Sequence, residues 1–267
     1  MKNKWKKYLQ FALKLLLSAA MLYYVFTKIN VKEVFVLISH SDFLYFFPAL
    51  LFFALSKVIS AYRLNGFFRS VQVAIPDKTN LRLYLLGMYY NLFLPGGIGG
   101  DGYKIFWLNK KTRVKARHIF WAVLLDRASG LAAIAALTIA LFYFLPPVLP
   151  LQQYTAVLIP LLYLAAYLVY HFFFRYFTKI FFITSLQSLL VQISQLISVL
   201  FILFALRAFE HIPGYLCIFL VSSVITIIPV TPGGLGLRDV TFFFGAAMLS
   251  LDRETAQAVS LLFYGIT

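Results

Sequence analysis

Acidic residues are scarce in this chain, and so is charge of any kind. Nine of its 267 residues are Asp or Glu against 24 Lys and Arg, and all charged residues together make up 12%. Ordinary soluble proteins carry roughly 25% charged and about 45–50% apolar residues. Here 62% of residues are hydrophobic and the mean hydropathy is +0.85. A soluble domain of this length has nowhere to hide so much apolar surface, so the composition reads as an integral membrane protein. One cysteine, Cys217, excludes an internal disulfide and any multi-cysteine metal site. The four histidines, His40, His118, His171 and His211, stand without ligand spacing, so no metal is expected.

Signatures of soluble catalysis are also missing. No catalytic triad, paired glycosidase-like acids or metal-binding string is visible. Gly97-Ile98-Gly99-Gly100-Asp101-Gly102 fits G-x-G-x-x-G. That fingerprint has meaning only after a strand and inside a βαβ unit, whereas here it follows the apolar run Leu83 to Leu94. Nor is it a P-loop, because Gly102 is followed by Tyr103-Lys104. No nucleotide site or other cofactor is expected, and the chain reads as a non-enzyme.

What is present is a series of long apolar runs. They cover residues 8–27, 43–62, 119–145, 156–174 and 180–206, with broken or short runs at 83–108, 213–250 and 255–267. The first follows a basic N-terminus and approaches the ~20 residues that span a bilayer, longer than the ~7–15 of a signal-peptide core. It reads as an uncleaved first transmembrane helix. The formal net charge of +15 is explained by loop sorting rather than by nucleic acid. With the N-terminus cytoplasmic and both broken runs dipping in and returning, the cytoplasmic segments hold fifteen Lys/Arg and one acid, Asp77. The outer loops hold four Lys/Arg and five acids. That asymmetry is what the positive-inside rule expects for a cytoplasmic N-terminus.

Two glycine-proline breaks interrupt the apolar runs: Pro95-Gly96-Gly97-Ile98-Gly99-Gly100-Asp101 and Pro232-Gly233-Gly234-Leu235-Gly236-Leu237-Arg238-Asp239. A helix broken at membrane depth strands N–H and C=O groups where no water reaches them. Such breaks survive only where they are buried in protein or line a polar cavity. One in each half of the chain points to a transport site at a repeat interface. The expected fold is an all-α, polytopic helix bundle forming a single transmembrane domain over 1–267. Two re-entrant Pro-Gly-Gly hairpins sit in an inverted-topology repeat with halves near 8–145 and 154–267. The last run, thirteen residues long, reaches only about 20 Å against a ~30 Å core, so the final helix is expected to cross partly or to continue beyond Thr267.

Eight ionisable residues fall within or beside the apolar runs: Lys14, Lys57, Asp101, Lys104, Asp126, Arg127, Arg238 and Asp239. Each costs at least ~2.5–3.5 kcal/mol at the bilayer centre and should face the protein interior and pair. Lys14 and Lys57 can snorkel to an interface. Asp101 and Asp239 each open the second arm of a hairpin, where an acid caps free N–H groups. Asp126-Arg127 lies one turn into the helix after the first hairpin. Lys104, Arg127 and Arg238 either neutralise the acids as buried pairs or, beside glycine-exposed N–H groups, form an anion site. Ser185, Ser188, Gln192 and Gln195 lie on one face of a helix, as interhelical glue or as one wall of a polar track.

Three strings resemble the lysylphosphatidylglycerol synthase transmembrane family, also called flippase-like or UPF0104. They are Asn91-Leu-Phe-Leu-Pro-Gly-Gly-Ile-Gly-Gly-Asp101, Leu125-Asp-Arg-Ala-Ser-Gly130 and Pro232-Gly-Gly-Leu-Gly-Leu-Arg-Asp239. The chain departs from the usual pattern in carrying Lys104 where arginine is common and Asp239 where glutamate is usual. Lys104 would lose forked phosphate recognition. The resemblance implies a plasma-membrane protein that moves a lipid with a charged headgroup between leaflets. The transferase module of the best-known members has no counterpart in these 267 residues, so the synthase name is not read as an activity. Phosphate held between the two tips by Lys104, Arg127 and Arg238, with Asp101, Asp126 and Asp239 orienting them, is the expected site. A phospholipid or polyprenyl-phosphate lipid is the expected partner, with a lipid-modifying transferase as a possible second one. The alternative is an integral-membrane partner or enzyme of lipid-linked sugar transfer.

Overall fold

The computed structural model describes residues 2–93, 99–145, 152–227 and 231–267, and among these every regular element is helical. Two compact units emerge. The first comprises Met1–Phe53, Tyr90–Gly99 and Leu196–Thr267, the second Ala54–Tyr89 and Gly100–Gln195.

The second unit is built from most of α3 (Phe46–Ser70), α4 (Asp77–Phe93), α5 (Gly99–Thr112), α6 (Ala116–Tyr143), α7 (Leu158–Phe173), the short α8 (Arg175–Thr178) and the first part of α9 (Phe181–Ala205). Its core gathers Leu64, Phe67, Phe68, Leu108, Ile119 and Phe181. Among the described residues of the whole chain, four segments are by themselves long and apolar enough to cross a membrane: Phe43–Ser70, Ala116–Tyr143, Tyr154–Phe173 and Phe181–Ala205. Small residues let helices approach closely, and Gly100 is the sharpest case. A Cβ there would run into the carbonyl oxygen of Gly87, so the start of α5 rests directly on α4.

The first unit holds α1 (Lys2–Phe26), α2 (Val31–Ser39), α10 (Ile212–Ile225), α11 (Leu237–Met248) and α12 (Arg253–Ile266), with the start of α3 and the end of α9. The first membrane helix expected over 8–27 is α1. Its stretch Ala12–Phe26 passes as a span only together with α2, from which it is bent by 89°. Helix α2 replaces part of the expected outer loop. Asn30 caps it by accepting from Glu33 N–H at 3.4 Å, the local signature that starts a helix. Helices α10 and α11 pack together, with Gly245 making room for Ile218.

One span boundary needs correction. The apolar run ended at residue 62, yet α3 continues to Ser70. Leu64, Phe67 and Phe68 keep the helical spacing going past Arg63 and are buried. Arg63, counted above with the cytoplasmic cations, is therefore an interior residue.

The second break is described from Thr231 onward. Pro232–Gly234 forms a 3-10 turn, and Gly233, Gly234 and Gly236 have φ of 61°, 79° and 83°. This left-handed backbone costs an L-residue with a side chain ~1–2 kcal/mol, which is why the string needs glycine. The freed backbone groups find side chains, as membrane burial requires. Ser18 Oγ donates to the Leu235 carbonyl at 2.9 Å, and Gly236 N–H donates to Asp239 Oδ2 at 2.9 Å. Gly236→Ala would also place a Cβ 2.9 Å from the Ser18 carbonyl oxygen. It is expected to destabilise by at least ~1–2 kcal/mol. Gly66→Ala, whose Cβ would meet nothing within 4 Å, is expected to be neutral or slightly stabilising. Thermal melting of both variants in detergent checks the contrast. The tip residues Pro95, Gly96 and Gly97 lie outside the described residues.

Candidate functional site

In the second unit, α6 presents Asp126 and Arg127 about three turns from its start at Ala116, not one. Neighbouring helical residues point ~100° apart, so the two do not pair with each other. Arg127 Nε meets Asp101 Oδ2 at 2.5 Å, while Lys104 Nζ, one turn along α5, meets Asp101 Oδ1 at 3.1 Å. Asp101 is thus a shared counter-ion for two cations. Lys104 is buried, with its ammonium 4.8 Å from the centre of the Tyr84 ring. Gly87 gives it room, since a Cβ there would collide with Lys104 Cε. Arg127 differs: a third of its side chain is exposed, and among the described residues only its Nε has a partner.

Asp126 turns to α3. Its Oδ1 accepts from Arg63 Nε at 2.8 Å, and Arg63 Nη1 donates to Ser188 Oγ on α9 at 2.8 Å. Ser188 Oγ donates to the Thr184 carbonyl at 2.7 Å and has Ser129 Oγ 3.1 Å away. Arg63 and Asp126 are 6% and 7% exposed. Gly130 leaves space beside the guanidinium. Of the polar face on α9, Ser188 and Gln192 are buried while Ser185 and Gln195 are half-buried. Ser188 acts as the glue that its spacing suggested. Arg63 was missed by sequence reasoning because a charge ended the apolar run; the apolar spacing beyond it was the available signal. In all, three cations face two carboxylates here.

In the first unit, Asp239 caps α11 through Gly236 N–H. Its Oδ1 also accepts from Gln257 Nε2 and Ser260 Oγ of α12, each at 2.7 Å. Both carboxylate oxygens are engaged by neutral donors, so of the two alternatives for Arg238, neutralising Asp239 as a buried pair is not what the structure shows. Arg238 has no carboxylate partner among the described residues. Its guanidinium carbon sits 5.0 Å from the Phe263 ring centre and 5.9 Å from that of Phe219, and its buried Nε has no hydrogen bond. Gln257 and Ser260, one turn apart on α12, were the other residues missed; two polar positions in the final apolar run marked them.

Lys14 and Lys57 are half-buried. No group of three or more His, Cys, Asp or Glu suited to a metal occurs among the described residues.

Long apolar helices with ion-paired interior charges define an integral, all-helical membrane protein. Residues 11–267 match the family model of the lysylphosphatidylglycerol synthase TM region, and the chain belongs to that family. No curated protein matches it. The family ties the chain to a membrane function that concerns lipids.

Proposed function

We propose that the chain is a lipid flippase or flippase-like transporter, moving a lipid with a phosphate-bearing headgroup between leaflets of the plasma membrane. The carrying observation is the state of two arginines beside the broken segments. Among the described residues, Arg127 spends only Nε on Asp101, and Arg238 has no carboxylate partner and an unpaired Nε. An arginine with open donors suits a phosphate, which its paired N–H groups hold in a fork. Lys104 adds positive charge next to Arg127. Asp101 orients both, while Asp126 fixes α6 against α3.

Re-entrant hairpins in an inverted repeat remain part of this reading. At 14 and 12 residues, α10 and α11 are about 21 and 18 Å long, short of a ~30 Å hydrocarbon core. Two helices that stop short and pack on each other suit a hairpin that enters and returns. The cytoplasmic N-terminus follows from the Lys/Arg asymmetry of the loops. In this reading the chain is not an enzyme and carries no cofactor.

The test is lipid scrambling by purified chain in proteoliposomes, with fluorescent phosphatidylglycerol, its lysyl form and a polyprenyl phosphate. Movement of at least one is expected, with loss in Arg238→Ala. Folded protein that moves none would overturn transport. It would favour a partner that presents lipid to a separate transferase, read by co-purification of that enzyme. Turnover of a lipid-linked sugar donor by the chain alone would instead make it an enzyme.

A further inference from the structure

A cavity of about 190 Å³ opens among α6, α7 and α9 within the second unit, walled by Ala128, Ala132, Ala166 and Phe181. Its lining is uncharged and carries four hydroxyls, of which Ser129 Oγ and Tyr170 OH donate to the carbonyls of Asp126 and Leu125. Among the described residues, by contrast, Tyr163 OH is buried with no hydrogen-bond partner and Ser185 makes no hydrogen bond. The outer surfaces of α7 and α9 around it carry exposed apolar side chains, including Leu161, Leu164, Ile183 and Leu186. On a membrane-spanning helix those side chains face lipid. The lining offers no charge to a headgroup phosphate, and the space suits a short run of methylenes. Hydrocarbon alone would leave both hydroxyls unmet in a medium without water, which is unfavourable.

From this we infer that the groove holds one acyl chain of a glycerolipid, with Tyr163, assisted by Ser185, hydrogen-bonded to the ester carbonyl. The carbonyl supplies the acceptor that the hydroxyls lack, and the alanine walls admit the chain. A prenyl chain has no carbonyl, so the groove favours diacyl phospholipid over polyprenyl phosphate. The inference rests on the chain handling lipid, but its readout is binding rather than movement.

The experiment compares diacyl phosphatidylglycerol with its dialkyl-ether analogue, which keeps the headgroup and loses both carbonyls. Binding to the full chain is read by native mass spectrometry from detergent. The ester lipid is expected to bind roughly two- to tenfold more tightly, the range of one neutral hydrogen bond. Tyr163→Phe, nearly isosteric, is expected to bring the ester lipid down to the ether level. Ala166→Leu, filling the groove, is expected to weaken both. Equal binding of ester and ether lipid to the unmodified chain, or an ester preference unchanged in Tyr163→Phe, would overturn the assignment. A chain that shows the ester preference but moves no lipid would sink the transport proposal alone and leave the groove standing.

Discussion

Asp126→Ala is expected to destabilise the protein by about 3–5 kcal/mol, the cost of leaving one member of a buried ion pair alone. Arg63 then keeps its charge at 6% exposure, with Ser188 Oγ as its remaining hydrogen-bond partner. Three helices meet at this pair: α3 through Arg63, α6 through Asp126 and α9 through Ser188. The loss should appear as a fall in melting temperature on the order of 10 °C, since each kcal/mol moves a chain of this size by ~2–4 °C. The double variant Arg63→Met with Asp126→Leu is expected to recover most of it, because apolar residues of similar volume often replace a buried pair without penalty. A single Asp126→Ala variant that melts like the parent would show that Arg63 reaches water.

Asp101→Ala should be nearly as damaging, for a different reason. One carboxylate serves two cations of unequal burial. Lys104, buried against Tyr84 and Gly87, loses its only carboxylate among the described residues and accounts for most of the effect, about 3–5 kcal/mol. The Arg127 bond adds at most ~1 kcal/mol, because a third of that side chain is exposed and screened. Combining Asp101→Ala with Lys104→Met is expected to restore the melting temperature while lipid movement stays impaired, since Arg127 has lost its orienting partner and the site has lost the Lys104 charge. Melting and scrambling measured on the same preparation separate the two roles. Restored movement in the double variant would remove Arg127 orientation from the account.

The long helices were legible because apolar length is written directly in the sequence, and so was the Asp101–Lys104 pair, which sits at helical spacing. The cap at Asp239 was legible too, three residues after a glycine that only a turn would need. Other features depend on which helices surround α6. Residues next to each other on a helix face different neighbours, so Asp126 and Arg127 each found a partner elsewhere, which spacing alone does not name. Arg63 was hidden because a charge looks like the end of a span until its partner is known. Helix α2 was hidden because nine residues are too few to cross a membrane, although Asn30 and Glu33 marked its start. The engagement of Asp239 by Gln257 and Ser260 needed the packing of α11 on α12, which no local spacing shows.

The most direct measurement is the rate of fluorescent phospholipid movement in proteoliposomes carrying the parent chain, Arg127→Ala or Arg238→Ala, each matched for melting temperature and amount. The account predicts movement by the parent and its loss in both variants, because each removes an arginine with open donors while sparing the Arg63–Asp126 pair. Full movement by Arg238→Ala would contradict the central claim that these open guanidinium groups take the headgroup phosphate.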